Sequence, residues 1–150
     1  MAIPSSVHKG FWNDAANGLL KIVYNGASIM KVNASGFGYA AGTGSTVTQI
    51  TNRATGVTIN AVCGQITTDN TSLAAEASAV FVVTNDKVAA TDVVVCSIAS
   101  GSVAPNTDVI VSAVAAGQFS ITVVNGNVAA GTAETGAIVI NFAVIKSVAA

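Results

Sequence analysis

Near its C-terminus the chain reads Ala137-Ile138-Val139-Ile140-Asn141-Phe142-Ala143-Val144-Ile145, the stretch that decides its fold. Every position except Asn141 is apolar, and the β-branched side chains suit a pleated strand. A strand with one face in water alternates between apolar and polar residues, which this one does not. The pattern predicts a strand covered on both faces, by the core and by either a neighbouring subunit or a loop of the same chain. Its candidate interface residues are Ile138, Ile140, Asn141, Phe142 and Val144.

The rest of the chain has the same β-type character. Short runs rich in Val, Ile and Thr are separated by turn-forming residues about every ten positions. This spacing predicts an all-β fold, with an antiparallel β-sandwich or barrel-like domain over residues 45–150. Helix-forming sequence is scarce, and residues 71–77 are compatible with either a short helical turn or a β-connecting loop.

The first 44 residues are interpreted as two further parts. Asn25-Gly26 stands between two strand-like runs, and its tolerance of positive φ angles is typical of a type I′ hairpin turn. The Gly-rich segment Gly36–Gly44 follows, so residues 20–44 are predicted to be a lead-in hairpin and connector. Residues 1–19 are predicted to be an N-terminal arm.

Charge is scarce along the whole chain. Six Lys and Arg and seven Asp and Glu residues make up 9% of the 150, against about 25% in ordinary soluble domains. The surface is therefore either kept wet by neutral polar side chains or covered by other subunits. The basic residues do not cluster and the net charge is −1, so we expect no nucleic-acid partner. No run approaches the ~18–20 apolar residues of a membrane-spanning helix, so we expect no membrane partner.

Residues that carry catalysis are few and dispersed. His8 is the single histidine and lies in the predicted N-terminal arm, whereas a catalytic triad needs its histidine held rigidly beside a nucleophile and an orienting carboxylate. The carboxylates fall mostly in predicted turns or at strand starts, where they accept hydrogen bonds from backbone amides. No Cys-x-x-Cys, His pair or calcium-loop pattern is present. We therefore predict no enzyme activity, no cofactor and no metal site. Cys63 and Cys96 are predicted to be small buried thiols, with one disulfide as the alternative.

Aromatic residues are concentrated early in the chain, at Phe11, Trp12, Phe37 and Tyr39. Such a group can form a satellite core, contact another subunit, or stack on a sugar. We predict a core or subunit contact, and His8, Phe11 and Trp12 are the candidate interface residues of the N-terminal arm.

The most distinctive segments of the chain are three strands and a hairpin region. They are Ala89–Val95, Ala115–Ile121 and Val139–Lys146, preceded by Val23–Gly26 and Ser35–Phe37. Together they resemble a β-module of tailed-phage virion proteins, and the resemblance covers most of residues 20–146. It implies a virion surface component that forms a homotrimer and has no catalytic residues to assign.

The chain differs from a complete tail fibre, because it has no long repetitive shaft and no separate attachment domain. Its 150 residues are better matched to a capsid decoration (cement) protein, which bridges subunits of the major capsid protein and so stabilises the phage head. This function places the protein on the capsid surface of the virion after synthesis in the host cytoplasm. Residues 1–18 are then the candidate capsid contact. The alternative is a receptor- or glycan-binding module of a phage tail or head fibre.

Overall fold

The computed structural model describes residues 9–129 and 131–148, and over these ranges the predicted all-β class is confirmed. They contain twelve strands and a short 3-10 turn at Ala15–Asn17. The chain divides into two compact units, of which the first ends at Gly44 and the second begins at Ser45.

The first unit is a single antiparallel sheet of consecutive strands. Its strands are Lys9–Asp14 (β1), Leu19–Tyr24 (β2), Ala27–Asn33 (β3) and Gly36–Tyr39 (β4), in that order across the sheet. Between β2 and β3, Asn25 and Gly26 have φ angles of 51° and 76°, the positive values that a type I′ turn requires. The Asn-Gly pair therefore turns the chain as its chemistry predicts.

Two segments expected to be irregular are strands of this sheet. Residues 9–14 pair with β2 along their whole length, so the described part of the expected N-terminal arm is not an extended arm. Residues 1–8 lie outside the described residues. Residues 36–39, expected as part of a connector, pair with β3. The sequence did not predict this strand, because two of its four residues are glycines. Only Phe37 and Tyr39 show the alternation of apolar residues that is typical of a strand.

The second unit contains two four-stranded sheets, in the orders β10-β11-β8-β6 and β5-β7-β12-β9. The strands are Gly44–Thr48 (β5), Val57–Thr58 (β6), Cys63–Thr67 (β7), Ser78–Thr84 (β8), Val93–Ser100 (β9), Thr107–Ala115 (β10), Gln118–Asn125 (β11) and Val139–Ile145 (β12). The short β6 pairs with β8 in parallel, so this sheet is mixed. Residues 71–77 form a loop, in which Leu73 makes an isolated bridge to Glu134.

Both sheets of the second unit contribute to one hydrophobic core. The rings of Phe119 on β11 and Phe142 on β12 come from different sheets, and their centroids lie 5.4 Å apart. Alternation along β8 shows how the core is filled, since Phe81 and Val83 are buried while Val80 and Val82 are exposed. The sheets remain open and do not close on themselves, so the barrel-like alternative is wrong.

Candidate functional site

One side of the sheet of the first unit carries most of its large apolar side chains. Directly paired residues of antiparallel strands point to the same side of a sheet. Two such rows cross all four strands, one from Phe11 to Tyr39 and one from Asn13 to Phe37. This side, which we call the apolar face, carries eight large apolar residues: Phe11, Leu20, Ile22, Tyr24, Met30, Val32, Phe37 and Tyr39. Asn13 and Lys9 lie on the same side, because they pair with Leu20 and Tyr24.

The apolar face is open to solvent. Phe11 is 75% exposed, Phe37 65% and Tyr24 58%, and Leu20 and Val32 are also exposed. An antiparallel sheet with one wet side normally turns its apolar residues toward a core and its polar residues toward water. A contiguous apolar surface of this kind is typical of an interaction site.

The opposite side of the same sheet holds charged side chains. Lys21 Nζ lies 2.8 Å from Asp14 Oδ2 and 4.8 Å from the centre of the Trp12 ring. Asn17 Nδ2 donates a second hydrogen bond to that Asp14 oxygen, at 2.9 Å. The hydrogen bond from Lys21 is the main reason that the pKa of Asp14 lies below its usual value, and the one from Asn17 adds to it. Because Asp14 and Val23 are buried, the charged side of the sheet is more enclosed than the apolar side.

The predicted aromatic cluster is divided between the two sides of this sheet. Phe11, Phe37 and Tyr39 belong to the apolar face, whereas Trp12 lies on the opposite side beneath Lys21. Neighbouring residues of a strand point in opposite directions, so Phe11 and Trp12 cannot share one surface. The remaining candidate of this region, His8, lies outside the described residues.

Four of the candidate interface residues near the C-terminus are core residues. Ile138, Ile140, Phe142 and Val144 are buried inside the second unit. Their side chains are therefore not available to another subunit, and the expectation that they form an interface is wrong. The physical reason is the strand period of two, which sends Ile140, Phe142 and Val144 to the same side as the core.

Asn141 is the one candidate on β12 that faces outward. It is exposed, and its Oδ1 accepts a hydrogen bond of 3.0 Å from Gln65 Nε2 on the neighbouring β7. Beside it lies a shallow hollow of about 290 Å³, whose lining includes Val95, Ser97 and Ala143. The outer strip, as we call Val93, Val95, Asn141, Ala143 and Ile145, is half-buried to exposed, so no described loop of the chain covers it completely.

A buried carboxylate lies in the second unit at Glu134. Its oxygens accept hydrogen bonds from the hydroxyls of Thr107 (2.6 Å) and Ser102 (2.8 Å) and from the backbone N–H groups of Gly136 (2.7 Å) and Ala104 (3.0 Å). Burial alone would raise the pKa of this carboxyl, but the donors outweigh burial and lower the pKa to about 2. Glu134 is therefore ionised at neutral pH, and its hydrogen bonds connect residues 102–107 to residues 134–136.

Arg53 is a buried cation that forms hydrogen bonds to several segments of the same unit. It donates to the carbonyls of Thr71 (2.5 Å), Gly136 (2.8 Å) and Glu134 (3.2 Å) and to the hydroxyl of Thr68 (3.2 Å). Burial lowers the pKa of its guanidinium group. Sequence reasoning missed both Arg53 and Glu134. The one available signal is that Arg53 is the single arginine of a chain that is poor in charge.

Cys63 and Cys96 are not joined by a disulfide, so the disulfide alternative is wrong. Cys96 Sγ lies 3.6 Å from the carbonyl oxygen of Val109, and burial raises the pKa of this thiol. A raised pKa keeps a thiol protonated and unreactive at neutral pH. Over residues 9–129 and 131–148, no three His, Cys, Asp or Glu side chains are grouped as metal ligands would be.

Comparison with protein-family models, with curated proteins and with solved structures finds no match to this chain. Within the described ranges, no helix has the length and apolarity needed to cross a membrane. The apolar face and the outer strip are therefore the candidate functional surfaces on structural grounds alone.

Proposed function

We propose that this protein is a decoration (cement) protein of a tailed-phage capsid. In this proposal a homotrimer, with the second unit as its β-sandwich body, bridges subunits of the major capsid protein and stabilises the head. The observation that carries the proposal is the apolar face, on which Phe11, Tyr24 and Phe37 are left open on a small separate unit. Cementing acts through buried contact area, and an open apolar surface of large side chains is suited to that task.

A bridging protein needs at least two contact surfaces, one for its own copies and one for the capsid. The apolar face is the first such surface, and the outer strip of the second unit is the other. The outer strip combines apolar groups at Val93, Val95 and Ile145 with the hydrogen-bonding groups of Asn141 and Gln65. Contact surfaces between separately folded proteins have this mixture of apolar centre and polar groups.

The proposal is tested on particles of the phage that encodes the sequence. Mass spectrometry of purified particles should detect the chain in many copies. Particles produced without it should release their DNA at a lower temperature, and addition of the purified protein should restore the original temperature. Absence of the chain from intact particles, or an unchanged release temperature without it, would contradict the proposal.

A glycan-binding module of a phage fibre is the second candidate. The exposure of Phe11 and Phe37 on one face favours it, because aromatic rings in the open can stack on a sugar. Glycan-array binding that is lost in Phe37→Ala and retained in Trp12→Ala would support this function, since Trp12 lies on the other side of the sheet. An array without binding would exclude the tested glycans and favour decoration.

A further inference from the structure

The chain contains three Asn-Gly pairs, at Asn17-Gly18, Asn25-Gly26 and Asn125-Gly126. An asparagine followed by glycine is prone to lose its side-chain amide spontaneously, because glycine has no side chain to hinder the attack of its own backbone nitrogen. The structure holds the three pairs in different ways. We propose that Asn25 is a site of spontaneous deamidation in the folded protein and that the fold protects the other two pairs. This inference goes beyond the proposed function and does not depend on it.

The reaction needs only the two residues and water. The backbone nitrogen of Gly26 attacks Cγ of Asn25, and the new C–N bond closes a five-membered succinimide ring. The bond between Cγ and Nδ2 breaks, and the side-chain nitrogen leaves as ammonia with the proton of the Gly26 N–H. Water then opens the ring at either carbonyl and produces aspartate or isoaspartate. Each event adds one negative charge to a chain whose net charge is −1.

The turn at Asn25-Gly26 is one peptide rotation away from ring closure. Closure requires the Gly26 nitrogen to eclipse Cβ of Asn25, which for an L-residue is a ψ angle of about −120°, as at the first central residue of a type II′ turn. Type I′ and type II′ turns share a φ of about +60° at that residue and differ by a rotation of the peptide that follows it. The φ of Asn25 is 51°. Rotation of this one peptide therefore reaches the reactive geometry while Tyr24 and Ala27 stay paired.

The turn also has room for that rotation. Asn25 and Gly26 are both exposed, and a Cβ atom built on Gly26 would meet no atom of another described segment within 4 Å. Glycine accepts either sign of φ, so Gly26 can follow the rotation without strain. Local motion of an exposed turn costs far less free energy than unfolding of the chain. Folding therefore leaves the reaction of Asn25 about as fast as in the unfolded chain.

Asn125 is held in the opposite way. Its side chain is fully buried, and its Nδ2 donates hydrogen bonds to the carbonyl oxygens of Leu73 (3.0 Å) and Thr132 (2.8 Å). The attacking group of this pair, the N–H of Gly126, donates to the carbonyl oxygen of Asn106 at 2.9 Å. Ring closure would break all three buried hydrogen bonds. The fold should therefore slow the reaction of Asn125 by at least about a hundredfold.

Asn17 is exposed, but hydrogen bonds hold both of its reacting groups. Its Nδ2 donates to Asp14 Oδ2 at 2.9 Å, and the N–H of Gly18 donates to the carbonyl oxygen of Ala15 at 3.3 Å. Rotation of the Asn17-Gly18 peptide would open the 3-10 turn that ends there. These bonds lie at the surface and are easier to break than those of a buried group. We therefore expect the fold to slow the reaction of Asn17 by about tenfold.

The test is peptide mapping by mass spectrometry after incubation of the full chain at neutral pH in water enriched in heavy oxygen. Every converted Asn25 should carry one solvent oxygen and should appear as a mixture of aspartate and isoaspartate. A parallel incubation in guanidinium chloride gives the rate of each pair in the unfolded chain. Relative to those rates, folding should leave Asn25 nearly unchanged and slow Asn17 and Asn125 by about tenfold and a hundredfold.

Asn25→Gly is the matched control variant, because glycine keeps the positive φ of the turn and has no side-chain amide. Ion-exchange chromatography should separate a more acidic species from aged wild type, and aged Asn25→Gly should stay a single species over the same time. Circular dichroism shows that the variant is folded. Three results would overturn the inference: an intact Asn25 in folded protein after the unfolded chain has converted, an Asn125 that reacts as fast as Asn25, or an acidic species that forms equally fast in Asn25→Gly.

Discussion

The first unit exposes the apolar side of its sheet, whereas the second unit turns the apolar sides of two sheets toward each other. Both units are built from similar alternating strands. In β8 the alternation buries Phe81 and Val83 in the chain's own core, while in β1 and β4 it leaves Phe11 and Phe37 in water. Alternation therefore identifies which side of a strand is apolar. Whether that side is buried depends on a second layer, and residues 9–44 of the first unit form only one sheet.

The first comparison is between an aromatic ring in the core and one on the apolar face. Phe142→Ala should lower the free energy of unfolding of the second unit by ~3–5 kcal/mol, because a cavity is left beside Phe119. Phe37→Ala should change the same quantity by less than about 0.5 kcal/mol, since Phe37 is exposed on the other unit. Chemical denaturation followed by circular dichroism measures both. Similar losses in the two variants would contradict the contrast between the units.

The next effect concerns the polar interior of the second unit. Glu134→Gln should lower the free energy of unfolding of the second unit by about 3 kcal/mol. A neutral amide cannot accept hydrogen bonds from all the donors that surround the buried carboxylate. Glu76→Gln is the control, since Glu76 is the other glutamate of the chain and is exposed. Denaturation at pH 7 gives both values. An equally small change in the two variants would show that the network around Glu134 does not stabilise the fold.

The pH dependence of stability tests the same carboxylate independently. The pKa of Glu134 is lowered from 4.5 to about 2 in the folded chain. The unfolded state thus binds this proton first as the pH falls, so the stabilisation is complete above pH 4.5 and is lost as the pH approaches 2. The difference in unfolding free energy between wild type and Glu134→Gln should be constant near neutral pH and should shrink below pH 4.5. A difference that does not vary with pH would contradict the lowered pKa.

The smallest effect is expected on the outer strip. Asn141→Asp should change the unfolding free energy by less than about 0.5 kcal/mol, because the site is exposed and the carboxylate can still accept from Gln65. Ile140→Asp, one position away in the core, should prevent stable folding of the second unit. Thermal unfolding of both variants measures this contrast. A loss of several kcal/mol in Asn141→Asp would mean that the assembled protein covers the outer strip, as the apolar sequence of this strand predicts.

Alternation and turn chemistry made much of the fold predictable, including the all-β class and the hairpin at Asn25-Gly26. The side of β12 that faces outward was harder to assign. Val139 and Ala143 lie on that side but are half-buried, because β12 sits between β7 and β9. An outward position in a central strand can thus be apolar without a covering subunit.

The candidate site was less predictable than the fold. Strand β4 was concealed by its glycines, so the complete row from Phe11 to Tyr39 could not be seen in the sequence. The partners of Arg53 are also remote, since its bonds to Glu134 and Gly136 connect residues 81 and 83 positions apart. Local sequence patterns contain no information about contacts of that range.

The position of β12 has a consequence for the order in which the protein is made. It is the last of the described strands along the chain, yet it lies in the middle of its sheet, paired with β7 on one side and β9 on the other. While the ribosome is still extending the chain, these two neighbours have no strand between them, and Phe119 lacks the ring of Phe142. The second unit can therefore complete its core only after residues 139–145 have emerged. The pairing of β12 follows the synthesis of every other described strand. Until then, the unpaired edges of β7 and β9 are sites where a nascent chain can pair wrongly.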